Sequence, residues 1–359
     1  MKKFGVLING AGWVSTQHIS AYKNNPHTEI VGISDLNIET ARKRAAEFDL
    51  DIPCLDNFEK ALELPGIDIV SVCTPQHVHA ENVITAANAG KHIVIEKPAA
   101  QSMDEIRAMQ AAINNARVKT VVSFVLRWNP MFAKLKKMTA NGDFGEIYCV
   151  ETDYQSYSGD WWGGFSLGRT KKTGVSAMLV AGCHAIDALR WFAAQGEFEA
   201  ADAVEIFAYE GGKRRQSTNQ YNPIENSWHE GDPLEYAGVE MILVKFSNGV
   251  IGKVGVNFEC IQPYRFPVQI FGNKGSANDN KIWSHNHPEQ KDWIELDTIR
   301  PDSSDVSHHP FQGEIDHFIE CIQNDVESHC NFADAAKTHE IVFAAQECYR
   351  SGMPVKLPL

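Results

Sequence analysis

The stretch VAGCHAIDALRW, residues 180–191, sets His184 near the start of an expected amphipathic helix, with Asp187 and Trp191 at i+3 and i+7 on the same face. Ile186, Leu189 and Ala193 mark an apolar face. An imidazole titrates near neutral pH, at about 6.5 when unperturbed, so His184 could take a proton from a reacting hydroxyl. It could equally be a buried ring satisfied by one hydrogen bond, and the residues alone leave both readings open. A second cluster is Glu96-Lys97-Pro98, a carboxylate and an ammonium followed by a turn-fixing proline at the end of the apolar run HIVI. A lysine so placed is more than a surface solubiliser, and the Lys97-Pro98 bond could be cis, aiming the ammonium into a crevice.

Those groups need a scaffold, and the order of elements supplies one. Short aliphatic runs (FGVLING, EIVGISD, DIVSVCTP, HIVIEKP, KTVVSFVLR) alternate with segments of helical periodicity, the pattern of a parallel sheet covered on both faces. Gly90 is placed to end one helix, and Ser102 with Glu105 forms a capping box at the start of another. Residues 1–125 are therefore expected to form a doubly wound Rossmann domain. From residue 126 to 359 the strands lengthen and alternate, as in EIYCVETDY, VEMILVKFSN and GVIGKVGVNFE. They predict an α+β domain with a large, mostly antiparallel open sheet, closed by helices near 311–323 and 333–350, with 211–235 as a long polar loop.

Between the first strand and its helix, Gly10 and Gly12 with Trp13, Val14 and Ser15 match two of the three glycines of G-x-G-x-x-G. The first glycine makes the tight turn and the second lets the backbone approach a pyrophosphate; a plain strand-to-helix turn is the blander alternative. Asp35, ending the second strand, stands where an acid accepts hydrogen bonds from an adenosine ribose, or where a residue merely caps the following helix. Taken together, strand, turn, helix, strand and terminal acid predict a dinucleotide site. The Asp35 carboxylate would repel the 2'-phosphate of NADP, so NAD is expected. The turns CTP at 73–75 and EKP at 96–98 reach the same carboxyl edge of the sheet.

Composition narrows the partners. With 359 residues, 43% hydrophobic, the chain can bury full cores, and its formal net charge of −13 repels phosphate backbones and anionic lipid. The longest basic run is KRR at 213–215, so neither nucleic acid nor a membrane is an expected partner. The eight cysteines never fall in C-x-x-C spacing, and no export signal or membrane span is recognised, which fits reduced thiols in a cytoplasmic protein. His285, His287, His308 and His309 lack clustered carboxylates or cysteines at ligand spacing, so no metal is expected.

In order, GAGWVS, ISD, CTPQHVHA, GKHIVIEKP, GCHAIDALRW, FQGEIDHFIECI and VKLP resemble the glucose-fructose oxidoreductase, inositol dehydrogenase and MocA family over nearly the whole chain. The resemblance implies a Rossmann domain and a C-terminal domain whose open sheet often forms an oligomer interface, a homodimer or homotetramer. It places Glu96 and Lys97 near the nicotinamide ribose, and Thr74, Pro75 and His79 beside the cofactor. Gln76 stands where relatives often have Asn, and His77 has no matching role. His184 aligns with the histidine of the family's D-x-G-x-H-x-x-D pattern, which favours a catalytic role, with Lys97 assisting. Asp187 matches the second Asp and is the more structural of the two. The first Asp is Val180 here, so a carboxylate that would strengthen the base is missing at that position.

For the substrate, residues 154–174 combine Tyr154, Tyr157, Trp161 and Trp162 with Arg169, Lys171 and Lys172. Aromatic faces can pack on the C–H faces of a sugar while cations bind its hydroxyls or an acidic group; the alternative is a loop whose aromatics are tucked into the protein. Arg127 and Trp128, where the chain leaves the first domain, are further candidates. The expected activity is NAD-dependent oxidation of a secondary alcohol of a sugar, glycoside or cyclitol. Two alternatives are an NAD-cycling lyase or glycosidase acting through a ketosugar, and a non-catalytic dinucleotide-binding regulator.

Overall fold

The computed structural model describes residues 3–213, 217–298, 301 and 309–359. Arg214 and Arg215 of the basic run, and His308, lie outside the described residues. The chain divides into two compact units, residues 1–125 with 310–336 and residues 126–309 with 337–359.

In the first unit, β1 (Phe4–Asn9), β2 (Thr28–Ser34), β3 (Cys54–Leu55), β4 (Ile67–Val72), β5 (His92–Ile95) and β6 (Thr120–Val122) form one sheet in the order β3-β2-β1-β4-β5-β6. All neighbours pair in parallel. Val6, Leu7 and Ile8 of β1 are fully buried, as a strand covered on both faces requires. The connecting helices are α1 (Ser15–Asn24), α2 (Ile38–Glu47), α3 (Phe58–Leu62), α4 (His79–Asn88) and α5 (Met103–Ala116). Gly90 follows α4 with φ +69°, and the Ser102 side chain caps α5 by accepting from the Glu105 N–H at 3.2 Å. The Glu105 carboxylate reaches back to the Gln101 N–H rather than to that of Ser102.

The second unit contains α6 (Pro130–Ala140), β7 (Ile147–Gln155), α7 (Phe165–Gly168), α8 (Cys183–Ala193), β8 (Ala203–Gly211), β9 (Asn219–Asn222) and β10 (Ser227–Glu230). It continues with β11 (Val239–Phe246), β12 (Ile251–Asn257), β13 (Val268–Gly272), β14 (Gly275–Asn278), β15 (Lys281–Ser284) and β16 (Ile294–Glu295). Helix α9 (Phe311–Gln323) belongs to the first unit, α10 (Phe332–Ser351) starts there and continues into the second, and β17 (Val355–Lys356) ends the series. Among the described residues nine strands make the sheet β16-β15-β14-β13-β7-β12-β11-β8-β17, antiparallel except for β7 with β12.

Three features differ from the sequence reading. Residues 310–336, expected with the C-terminal domain, pack with the first unit. Phe311, Ile315, Phe318 and Ile319 of α9 are buried, and Asn25 donates to Asp316 at 2.7 Å. An amphipathic stripe predicts burial without naming the partner. Within the expected loop 211–235, β9 and β10 form a hairpin whose turn is held by two backbone N–H groups donating to Asn222 Oδ1. Finally, α8 has no exposed face, because every residue from Cys183 to Ala193 is buried, and it is preceded by a π turn, Met178–Gly182. Its buried cation Lys136, from α6, donates to the carbonyls of Ala194 at 2.7 Å and Glu199 at 3.0 Å and also to that of Trp191, closing the helix C-terminus.

Candidate active site

The ends of β1, β2, β4 and β5 bring their groups to the carboxyl edge of the sheet. Gly10 follows β1 with φ +96°, and a Cβ there would lie 2.6 Å from the Thr74 N, so only glycine fits where the turn passes the end of β4. Gly12 is exposed and a Cβ would meet nothing within 4 Å, leaving the backbone open to a close ligand. Helix α1 begins without a side-chain cap and without an acid in its first turn. An uncapped N-terminus beside an open glycine backbone is a fitting seat for a pyrophosphate. Trp13 is half exposed beside it and Val14 partly so.

Asp35 does not cap α2; Asn37 does, by accepting from the Glu39 N–H. The Asp35 carboxylate instead accepts from the Ala11 N–H at 2.8 Å and the Asn37 N–H at 2.9 Å, tying the end of β2 to the glycine turn. Arg44, from α2, donates to the carbonyls of Ala11 and Gly12 at 3.2–3.3 Å, clamping the turn from its other side. The Thr74 hydroxyl donates to Asn82 Oδ1 at 3.1 Å, and Pro75 leads into a short 3-10 turn that includes His77. His79 is buried between two carbonyls, 2.8 Å from that of Pro98 and 2.6 Å from that of Thr74, and burial lowers its pKa. It sits between the CTP turn and the EKP turn, whose Lys97-Pro98 bond is cis.

Behind that turn lies a group the sequence reading missed. Buried Glu96 stands 2.9 Å from Nε2 of buried His18 on α1. Burial favours a neutral carboxyl, yet the His18 hydrogen bond and charge and the Lys97 charge hold the Glu96 pKa below its ordinary value. Glu314, on α9, accepts from the Ser123 hydroxyl at 2.8 Å; burial, with Glu96 adding to it, pushes its pKa up to about 8. The available signal was spacing: His18 and Tyr22 lie one turn apart on the face of α1 that packs inward.

In the second unit, His184 is the second residue of α8, with only 5% of its surface exposed. Asp187, one turn on, receives two bonds from Arg127, Nε at 2.8 Å and Nη2 at 2.6 Å, and the guanidinium lies 4.6 Å from the centre of the Trp191 ring. Arg127, expected in a substrate cleft, is thus an interior brace with 1% of its side chain exposed, and Trp128 beside it is half-buried. Val180 is buried in the π turn. A carboxylate does serve this segment, from elsewhere: Glu240 of β11 accepts from the Met178 N–H and the Tyr349 hydroxyl, both at 2.8 Å, and burial pushes its pKa up to about 7.

The aromatic segment is built from glycine and ring contacts. The Trp162 ring lies where Cβ atoms on Gly164 and Gly168 would be, and a Cβ on Gly168 would also come within 3.7 Å of Val180. Trp162 therefore packs beside the turn that leads to His184. Trp161 donates to the Tyr157 carbonyl, and Tyr157 accepts from the Tyr221 N–H of the hairpin. Tyr154 instead meets Phe258, Tyr264 and Phe266 edge-on within the unit. Arg169 pairs with Asp232 at 2.9 Å and Glu235 at 3.6 Å, which joins the segment to the loop between β10 and β11, whereas Lys171 and Lys172 are exposed. Among the described residues no group of three His, Cys, Asp or Glu side chains could hold a metal, and no helix is long and apolar enough to cross a membrane.

A glycine turn, a helix N-terminus without a side-chain cap and an acidic strand end define the first unit as a dinucleotide-binding domain, here followed by an open-sheet domain. Residues 4–124 match the model of the oxidoreductase family with an NAD-binding Rossmann fold, and 132–278 match the C-terminal domain model of the same family. The chain is 29% identical over 265 residues to a levoglucosan dehydrogenase of Pseudarthrobacter phenanthrenivorans, covering 71% of this chain and 67% of that one. It is 26% identical over 335 residues to an NAD-dependent scyllo-inositol 2-dehydrogenase of Bacillus subtilis, covering 92% and 90%. A solved levoglucosan dehydrogenase in complex with NADH shares the fold with a TM-score of 0.84 at 21% identity, over 99% of this chain and 100% of that one. The chain belongs to the glucose-fructose oxidoreductase, inositol dehydrogenase and MocA family of NAD-binding oxidoreductases.

Proposed function

We propose that the protein is an NAD-dependent dehydrogenase oxidising a secondary alcohol of a sugar, glycoside or cyclitol, with His184 as the proton acceptor and Lys97 assisting. The observation that carries the reading is His184 buried at the head of α8 in a chain that matches both family domains. Relatives named for levoglucosan and scyllo-inositol support the substrate class. NAD supplies the hydride acceptor. His184 then has to remove the hydroxyl proton, and a positively charged Lys97 orients that hydroxyl and favours its alkoxide. Trp161 and Trp162 present ring faces to the substrate, with Lys171 as an exposed donor. Gly12 and the start of α1 hold the pyrophosphate, and Asp35 the adenosine ribose.

The subunits are read as associating through the open face of the second unit's sheet. Tyr209 lies opposite Met241 there, and Leu243 and Ile251 are likewise exposed, an apolar face uncommon on a monomer. Eight free thiols fit a cytoplasmic location.

Incubating the purified protein with NAD and levoglucosan, scyllo-inositol, myo-inositol or a methyl glucoside tests the reading. NADH should accumulate in step with a ketone from at least one of them. Product without net NADH, or no product from any member, would overturn it.

A further inference from the structure

The interior of the first unit holds an ion pair that the steps above leave without a role. His18 Nε2 is 2.9 Å from Glu96 Oε1, and its Nδ1 is 2.9 Å from the Ser71 hydroxyl on β4. The Phe311 ring of α9 leans on the imidazole, with centroids 5.0 Å apart, and the His18 side chain has no exposed surface. The second Glu96 oxygen accepts from the backbone N–H of Lys97 at 3.1 Å. A continuous chain therefore runs from Ser71 through His18 and Glu96 to the Lys97 backbone at the end of β5.

The charges favour that chain. Burial disfavours an imidazolium, but Cys73 and then Glu96 outweigh it and raise the His18 pKa. An isolated carboxyl in such an interior would take up a proton and lose much of its strength as an acceptor. With His18 beside it, Glu96 stays ionised and grips the Lys97 N–H.

We propose that His18 is a positioning residue for the nicotinamide-ribose end of the cofactor site, keeping Glu96 a carboxylate so that Glu96 and Lys97 are set to meet that ribose. The proposal rests on the reading that Glu96 and Lys97 lie at that ribose. ADP separates the two ends of the cofactor, because it carries adenosine and pyrophosphate but no nicotinamide ribose.

Affinities of NADH, from its fluorescence, and of ADP, from calorimetry, are to be measured for wild type, His18→Ala, His18→Gln, Glu96→Gln, Lys97→Ala and the His18→Ala/Glu96→Gln double variant. His18→Ala and Glu96→Gln should each weaken NADH about tenfold, and the double variant should be no more than about twofold worse than the poorer single, because the two act as a unit. ADP should bind all of them within about twofold of wild type. His18→Gln, which keeps an N–H near Nε2 without the charge, should fall between wild type and His18→Ala and carries the test if the alanine variant does not fold. The proposal fails if both His18 variants bind NADH as wild type does while Glu96→Gln does not, or if they lose NADH and ADP alike. If Glu96→Gln and Lys97→Ala both leave NADH binding intact, it is the placement of the ribose that fails, and the variants outside His18 reveal it.

Discussion

A cation and a carboxylate buried together are found in each unit, His18 with Glu96 and Arg127 with Asp187, and the two pairs are built differently. Arg127 clasps Asp187 through two nitrogens and stacks near Trp191, and a guanidinium keeps its charge at any ordinary pH. His18 meets Glu96 through one nitrogen, and its charge depends on a proton. The first is a permanent brace that anchors α8 one turn beyond His184. The second can be switched off, and its carboxylate also binds the backbone of Lys97. The pair that stays charged supports packing, while the pair next to the cofactor edge is the titratable one.

The largest effect should come from breaking the brace. Arg127→Ala strands Asp187 in the interior and should cost about 3–5 kcal/mol in chemical denaturation, with a loss that varies little from neutral to alkaline pH. The destabilisation caused by His18→Ala should instead shrink as pH rises. The folded pKa of His18 lies above the ordinary 6.5, so its contribution is complete below 6.5 and is lost as pH climbs through the folded value. Equal pH dependence in the two variants would erase the contrast.

Glu314 sharpens it further. Its folded pKa of about 8 exceeds the ordinary 4.5, so the folded state holds a proton the unfolded chain releases, and stability should fall between those values as pH rises. The slope from this one group is at most about 1.4 kcal/mol per pH unit, and Glu314→Gln should remove it. Urea midpoints across that range would show the flattening, and an unchanged slope would place the proton elsewhere. A smaller change is expected at Asp35, whose carboxylate faces the glycine turn instead of a cation. Asp35→Ser should narrow the preference for NADH over NADPH about tenfold in fluorescence titrations. An unchanged preference would detach Asp35 from cofactor choice.

Much of the first unit was legible in the chain because its signals are local. Aliphatic runs mark strands buried on both faces, and Gly10, Gly12, Gly90 and Ser102 punctuate them. What escaped depends on contacts distant in sequence. The stripe on α9 announces burial without saying that α1 is its partner, and Arg127 looks like a cleft residue until Asp187, sixty positions on, claims it. The π turn before α8 leaves no mark in a periodicity count. The hairpin of 219–230 is polar on both strands and carries none of the alternation by which strands are recognised. His18 stood out least, since a histidine among buried helix residues gains meaning only once Glu96 is found opposite it.

The roles of His184 and Lys97 are decided with the alcohol that the panel identifies. Rates of NADH formation and affinities for NADH are to be compared for wild type, His184→Ala and Lys97→Ala. Each substitution should lower the rate by about a thousandfold or more. For His184→Ala, NADH affinity should stay within a few-fold of wild type. Both variants turning over near the wild-type rate would contradict those roles.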